Sequence, residues 1–139
     1  MDPELRAHAR TLFTAAEAAG RQQVSTLVVR AGFIEKNRAA LVDFLEDYIR
    51  AVRWFVDPAN HREAVKIVAD FTKRPPELFD SWLFTKGDQY HNPDAIPDPG
   101  ILQANIDTMR SLGFIKGAID MTRHTDPSLA REAAARLAG

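Results

Sequence analysis

The sequence contains no cysteine. This absence excludes disulfide bonds, thiol catalysis and zinc sites with thiolate ligands. The sequence also has no run close to the roughly 18 consecutive apolar residues that a membrane-spanning helix needs. Three common classes, namely disulfide-stapled domains, cysteine-dependent enzymes and membrane-spanning chains, therefore find no support in the residues.

A strong charge of either sign is missing as well. The 139 residues include 18 Lys and Arg against 19 Asp and Glu, which gives a formal net charge of −1. A chain this close to neutrality has no broad positive field to gather nucleic acid or an anionic membrane. We therefore predict no nucleic-acid partner. The length fits a single domain, residues 1–139, with an apolar core.

A long amphipathic helix is the clearest feature that is present. Apolar residues recur at spacings of three and four, which places them on one side of a helix: Leu41, Phe44, Leu45, Tyr48, Val52 and Phe55. Charged residues mark the opposite side: Asp43, Glu46, Asp47, Arg50 and Arg53. Glu46 and Arg50 are four apart, as a stabilising ion pair requires. The pattern predicts a helix with one buried and one solvated side.

A second helix follows an Asp-Pro turn. Pro58 disfavours helical geometry at Asp57, so the first helix should end there. Asn60 is a good N-cap with Glu63 three positions later. Four apolar residues predict the buried side of this second helix: Ala64, Val65, Val68 and Phe71.

The segment before the long helix predicts the main departure from helical structure. Residues 24–30 are rich in Val and apolar, which favours a short buried strand. Residues 1–23 are predicted as a helix, from Glu4 to Ala19 with Gly20 as its end, followed by a crossing segment. A single helix from Pro3 to Arg30 is the main alternative. Residues 33–137 form the predicted helical part.

Proline punctuates the second half of the chain. A short helix is predicted from Glu77 to about Phe84 after two prolines, followed by a loop over residues 85–97. Asp98-Pro99 predicts a helix to Leu112, and Asp126-Pro127 predicts another that ends near Leu137. The expected fold class is thus mainly α, with at most one or two strands.

The ordered series of these elements resembles the C-terminal part of periplasmic substrate-binding proteins of ABC importers, in the nitrate, sulfonate and taurine group. The resemblance covers roughly residues 12–137. It lies in the two-helix stretch and in later landmarks, in this order: Phe33–Lys73, Pro75-Pro76, Trp82–Phe84, Leu102–Asp107 and Leu112–Ile115. No short motif among them is diagnostic, and the order carries the likeness.

The resemblance implies a C-terminal portion of a type II periplasmic-binding-protein lobe, which is an α/β lobe. It implies a solute-binding component that delivers a small anionic or zwitterionic solute to an ABC permease, in the periplasm and without cofactors. Members of this group are two-lobed, about twice as long and exported with a signal peptide. We therefore expect this sequence to be a C-terminal fragment that lacks most of the ligand cleft, with a natural single-lobe relative as the alternative.

The resemblance also implies where ligand contacts lie. Its crossing segment corresponds to residues 17–26, where four polar side chains are candidates to donate hydrogen bonds to a solute: Gln22, Gln23, Ser25 and Thr26. A structural role, in ending a helix and starting a strand, is the competing interpretation of these residues.

The sequence predicts no catalytic residues and no metal site. Neither a nucleophile elbow nor a phosphate-binding loop is present, and the four histidines lack the spacing of a helical metal site. Thiamine-pyrimidine synthases share the fold of these binding proteins, but we find no match to their reactive residues. We therefore predict a protein that is not an enzyme.

Self-association is a further expectation. A lone strand leaves its backbone N–H and C=O groups without partners, and a missing lobe leaves apolar surface bare. Pairing of two strands, conversion to helix, or exchange of elements within a dimer would each compensate, so we expect a homo-oligomer. The alternative to a transport role is a self-associating helical module that regulates or scaffolds without catalysis.

Overall fold

A computed structural model describes residues 8–23, 25–83 and 92–138. The α-helices with defined bounds are α1 (Ala15–Ala19), α2 (Ala31–Val56), α3 (His61–Thr72), α4 (Pro99–Ser111) and α5 (Ser128–Arg136). Short 3-10 helices cover Pro58–Asn60, Pro76–Leu78 and Met121–Arg123. No residue in the described part belongs to a strand. The predicted mainly helical fold class is confirmed.

The core lies between α2 and α5. Val42 and Ile49 of α2 are fully buried and pack with Leu129 and Ala133 of α5. Complete burial of one aliphatic side chain is worth about 1.5–3 kcal/mol. The α2–α5 contact therefore provides the largest burial of apolar side chains between helices that are far apart in the sequence.

Ion pairs border the α2–α5 contact. Arg38 Nη2 lies 3.0 Å from Glu132 Oε2, and Arg136 Nη1 lies 2.9 Å from Asp43 Oδ1. All four side chains are at least 40% exposed. Exposed pairs add at most about 1 kcal/mol each, so they fix the register of the two helices more than they stabilise them.

Helix α2 bends at Asn37, whose φ of −130° and ψ of 24° are not helical. The Asn37 side-chain amide donates to the carbonyl oxygen of Phe33 at 2.9 Å. A side chain that occupies a carbonyl of the preceding turn competes with the helical hydrogen bond there. The bend separates the first turn and a half of α2 from the straight part that packs against α5.

The predicted buried side of α2 was partly wrong. Phe44 and Tyr48 were expected inside, but they are 52% and 41% exposed. The fully buried residues Val42 and Ile49 were not in the predicted set. Apolar residues cover a wider arc of α2 than one neighbouring helix can bury, and the position of α5 decides which part of that arc is inside.

The turn between α2 and α3 uses different side chains from those predicted. Asp57 Oδ1 accepts a hydrogen bond from the N–H of Ala59 at 2.9 Å and starts the 3-10 turn. Asn60 occupies the N-cap position of α3, as predicted, but its side chain makes no cap hydrogen bond. Its Nδ2 instead donates to the carbonyl oxygen of Trp54 at 3.0 Å and satisfies a carbonyl at the end of α2.

The N-terminal region differs most from the prediction. Thr14 and Glu17 form a reciprocal capping box, with Thr14 N–H to Glu17 Oε2 at 2.6 Å, so α1 begins at Ala15 and the predicted helix is not continuous up to it. Gly20, at φ 71°, ends α1 as predicted. Residues 9–14 are not helical, and residues 1–7 lie outside the described part.

The predicted strand does not form in the described residues 25–30, which are neither strand nor helix. A strand needs a neighbour to accept and donate ladder hydrogen bonds, and the described part of the chain supplies none. The alternative single helix to Arg30 is also absent, because α1 ends at Gly20. Residue 24 lies outside the described part.

The predicted cap of α4 is confirmed, whereas α5 begins at Ser128 with Pro127, rather than Asp126, at the N-cap position. Asp98 Oδ1 accepts from the N–H groups of Gly100 and Ile101 at 2.9 and 3.0 Å. Asp126 Oδ1 accepts from the N–H of Ser128 at 2.8 Å. Residues after Pro75 form a 3-10 turn and further turns to residue 83 in place of the predicted helix, while residues 84–91 lie outside the described part.

Candidate functional site

The four residues predicted to contact a solute lie in the segment between α1 and α2. Gln22, Ser25 and Thr26 are exposed, and Gln23 is half-buried. These residues lie near one another along an irregular segment, and no pocket formed by the described residues encloses them. Whether they bind a solute stays a prediction.

Gln23 already has a structural contact. Its Oε1 accepts a hydrogen bond from the backbone N–H of Asp98 at 2.9 Å. The amide of Asn105 lies within 3.5 Å of the Gln23 backbone. Asp98 is the N-cap of α4, and Asn105 lies in the middle of that helix. Gln23 therefore attaches the segment after α1 to α4, which agrees with the structural interpretation of this residue.

An open groove of about 1200 Å³ runs along α3 and the turn that follows it. None of the four predicted solute contacts lines it. Its charged lining residues are four basic and four acidic side chains: Arg62, Lys66, Lys73, Arg74, Glu63, Asp70, Glu77 and Asp80. A groove with balanced charge does not select an anionic over a cationic ligand.

The clearest electrostatic contact in this groove is between Lys66 and Asp70. The hydrogen bond and charge of Asp70 raise the pKa of Lys66, and Lys66 in turn lowers the pKa of Asp70. Both shifts keep the two groups charged at neutral pH. Neither group is therefore tuned to exchange a proton near neutrality, as a general acid or base would be.

His61 connects the start of α3 to the far side of the groove. Its Nε2 lies 3.0 Å from the carbonyl oxygen of Asp80 and 3.3 Å from the Asp80 carboxylate. The Asp80 side chain is 72% exposed. Because water screens such a carboxylate, the contact holds the turn near α3 without isolating a reactive histidine.

Exposed apolar side chains form the second notable feature of the surface. They lie on the segment before α2, on α2 itself and on later elements, and the most exposed of them are these: Leu12, Phe13, Leu27, Val28, Phe33, Phe44, Phe71, Leu112 and Phe114. Phe71 was predicted to be buried and is 87% exposed. Surfaces of this kind mark contacts with other polypeptide when they are contiguous.

The exposed apolar side of α2 is the surface feature that sequence reasoning missed. The signal was available, because Val42 and Ile49 extend the apolar arc beyond the side that Phe44 and Tyr48 define. An arc wider than one helix contact predicts a second covered side. Residues at spacings of three and four were instead assigned to one buried side.

Among residues 8–23, 25–83 and 92–138, no three His, Asp or Glu side chains come together as metal ligands would. No helix in those ranges combines the length and the apolar character needed to cross a bilayer.

Comparison with protein-family models, with curated proteins and with solved structures finds no match to this chain.

Proposed function

We propose that this chain is the C-terminal, helical part of the solute-binding component of an ABC-type importer for small anionic or zwitterionic solutes such as nitrate, sulfonates or taurine. In this proposal the protein is periplasmic, performs no chemistry and delivers its solute to an ABC permease. The sequence resemblance supplies the class, and the arrangement of residues 25–56 supplies the structural support.

The observation that carries the proposal is the apolar segment directly before α2. Leu27 and Val28 are 59% and 89% exposed, and residues 25–30 have no strand partner in the described chain. Apolar surface left in water costs roughly 25 cal/mol per Å² relative to burial. A sheet contributed by the rest of a binding protein would cover these side chains and pair their backbone groups.

The proposal places the solute beside that sheet. Gln22, Ser25 and Thr26 are exposed at the start of the same segment, so their polar groups are accessible to a ligand held by another lobe. Most of the cleft would belong to residues outside this sequence. The chain alone should therefore bind solute weakly or not at all.

Calorimetric titration with nitrate, taurine and alkanesulfonates tests the proposal. We expect saturable binding by the longer protein that carries this sequence and little binding by the isolated chain. In the longer protein, Ser25→Ala should weaken binding, whereas Ser111→Ala, a matched change at an exposed serine of α4, should not. Tight binding by the chain alone, or none by the longer protein, would contradict the proposal.

A second candidate function is a self-associating helical module. The exposed aromatic side of α2 favours it, because Phe44 and Tyr48 lie on the straight part of a long helix, where a second polypeptide has room to pack. Light scattering over a range of concentrations tests the module, and a monomer at all concentrations contradicts it. A concentration-dependent dimer agrees with both candidates, because a fragment is also expected to self-associate, and the calorimetric titration then separates them.

A further inference from the structure

One side of α2 has the pattern of a surface that pairs with itself. Ala40, Phe44, Tyr48 and Ala51 follow one another at spacings of four, four and three, and all four are exposed. At 3.6 residues per turn they lie within about 80° of one another around the helix and span about 16 Å along it. We call these four residues the aromatic strip.

The two rings of the aromatic strip are already arranged together. The Phe44 and Tyr48 centroids are 6.3 Å apart and their planes differ by 25°, so the rings are stacked. Their exposed fractions are 52% and 41%. Rings held in place by one another lose little conformational freedom on binding, which favours association.

The order of residues in the aromatic strip is nearly palindromic. An alanine, two aromatic residues and a second alanine are arranged almost symmetrically about position 46. A two-fold axis there would place Phe44 against Tyr48 of a second copy, and Ala40 against Ala51 of that copy. Isologous contacts require a patch that is complementary to itself, and this order satisfies the requirement.

Charge does not oppose such pairing. The formal net charge is −1, so two copies repel each other weakly. Asp47 and Asp43 lie next to the aromatic strip on the polar side of α2. Arg50 lies 2.8 Å from the Asp47 carboxylate, and Arg136 lies 2.9 Å from that of Asp43. The nearest acidic groups are thus compensated within each copy.

The available area indicates the strength of the contact. With about 200 Å² for a whole aromatic side chain, the exposed parts of Phe44 and Tyr48 amount to about 190 Å². Interfaces are about 57% apolar, so two copies would bury about 650 Å² in total. That value is below the roughly 1000 Å² of stable specific interfaces, so the expected contact is a weak, transient dimer.

We propose that two copies of this chain pair through the aromatic strips of α2, antiparallel about a two-fold axis near residue 46. The proposal rests on the self-association candidate and adds which surface forms the contact. It does not depend on the solute-binding candidate, because the strip lies on α2, downstream of residues 22–26.

Sedimentation equilibrium of the whole chain, over about a hundredfold range of concentration, tests the pairing. We expect a monomer–dimer equilibrium that Phe44→Glu weakens by about tenfold or more, because the charge must be desolvated in the contact. Phe71→Glu is the matched control, since Phe71 is 87% exposed on α3. It should leave the equilibrium unchanged.

The outcomes separate the two levels of the proposal. A monomer at every concentration overturns self-association and the strip together. A dimer that Phe44→Glu does not weaken, or that Phe71→Glu weakens equally, overturns the strip alone. Circular dichroism of each variant at the lowest concentration shows whether its helices are retained.

Cross-linking provides a second test that introduces no charge. The chain has no cysteine, so introduced cysteines are the only thiols. The pair Ala40→Cys/Ala51→Cys lies about 16 Å apart within one copy, too far for a disulfide, but adjacent between copies in the proposed pairing. Oxidation should give a covalent dimer. The control pair Ala59→Cys/Ala104→Cys should not, and equal cross-linking of both pairs overturns the proposal.

Discussion

The two apolar sides of α2 have similar composition and opposite environments. Val42 and Ile49, toward α5, are fully buried, while Phe44 and Tyr48, a quarter to nearly half a turn farther around the helix, are 52% and 41% exposed. The exposed side carries the larger side chains. Burial in this chain is therefore set by where the next helix packs, and not by the hydrophobicity of the residue alone.

The largest contrast should come from truncating one residue on each side. Ile49→Ala should lower the free energy of unfolding by about 2–5 kcal/mol, because it removes buried methyl groups and leaves a cavity beside Leu129 and Ala133. Phe44→Ala should change it by about 0.5 kcal/mol or less in the monomer. Urea denaturation followed by circular dichroism at low concentration measures both. Equal losses would show that the two sides are not different in the folded chain.

A second contrast is between elements held by a core and an element held by its cap. Helix α4 has no buried residue, unlike α2 and α5, so its start depends on the two hydrogen bonds that Asp98 accepts. Asp98→Ala should cost about 1 kcal/mol, and Asp98→Asn, which can still cap, much less. Hydrogen exchange of the α4 amides measures the effect locally. An unchanged exchange rate in Asp98→Ala would mean that packing holds α4.

Local signals predicted much of the fold from the sequence. Asp98-Pro99 starts α4 through hydrogen bonds within three residues and was predicted correctly, whereas α5 begins at Ser128, one residue later than the predicted first-turn Pro127. The ion pair of Glu46 with Arg50, four residues away on the same helix, was also predicted, and its atoms lie 2.9 Å apart.

Features that depend on distant partners could not be predicted in the same way. The buried side of α2 is selected by Leu129 and Ala133, some 80 residues later. Asn60 has the local signature of an N-cap but bonds to Trp54, because the turn folds back on α2. Residues 25–30 have strand-like composition without a strand to pair with in the described part. Of the candidate surfaces, the sequence analysis named the polar residues within 22–26 but not the aromatic strip of α2.

A smaller effect distinguishes two ion pairs of α2 that differ in the exposure of their arginine. Arg53 Nε and Nη2 lie 3.0 and 2.7 Å from Asp94 Oδ1, and both side chains are little more than a third exposed. The more exposed Arg50 bonds to Glu46 within α2. Double-mutant cycles should give up to about 1 kcal/mol for Arg53–Asp94 and about 0.3–0.5 kcal/mol for Arg50–Glu46. A larger value for the second pair would contradict the ranking.

The smallest predicted effect concerns acid stability at the start of α5. The side chain and then the N–H of Ser128 donate to Asp126, and these hydrogen bonds lower the pKa of that carboxyl below its ordinary 3.8. A lowered pKa in the folded state means that the stabilisation is present above the ordinary value and is lost as the pH falls through the lowered one. Asp126→Asn should therefore reduce stability slightly at neutral pH and flatten its decline in acid. Unfolding by urea at a series of acidic pH values measures that slope. Ser128→Ala removes the side-chain hydrogen bond that lowers the pKa of Asp126 most, so it should flatten the acid decline in stability in the same direction but less. If stability declined equally steeply in Asp126→Asn and in the unchanged chain, the hydrogen bonds of Asp126 would not contribute to acid stability.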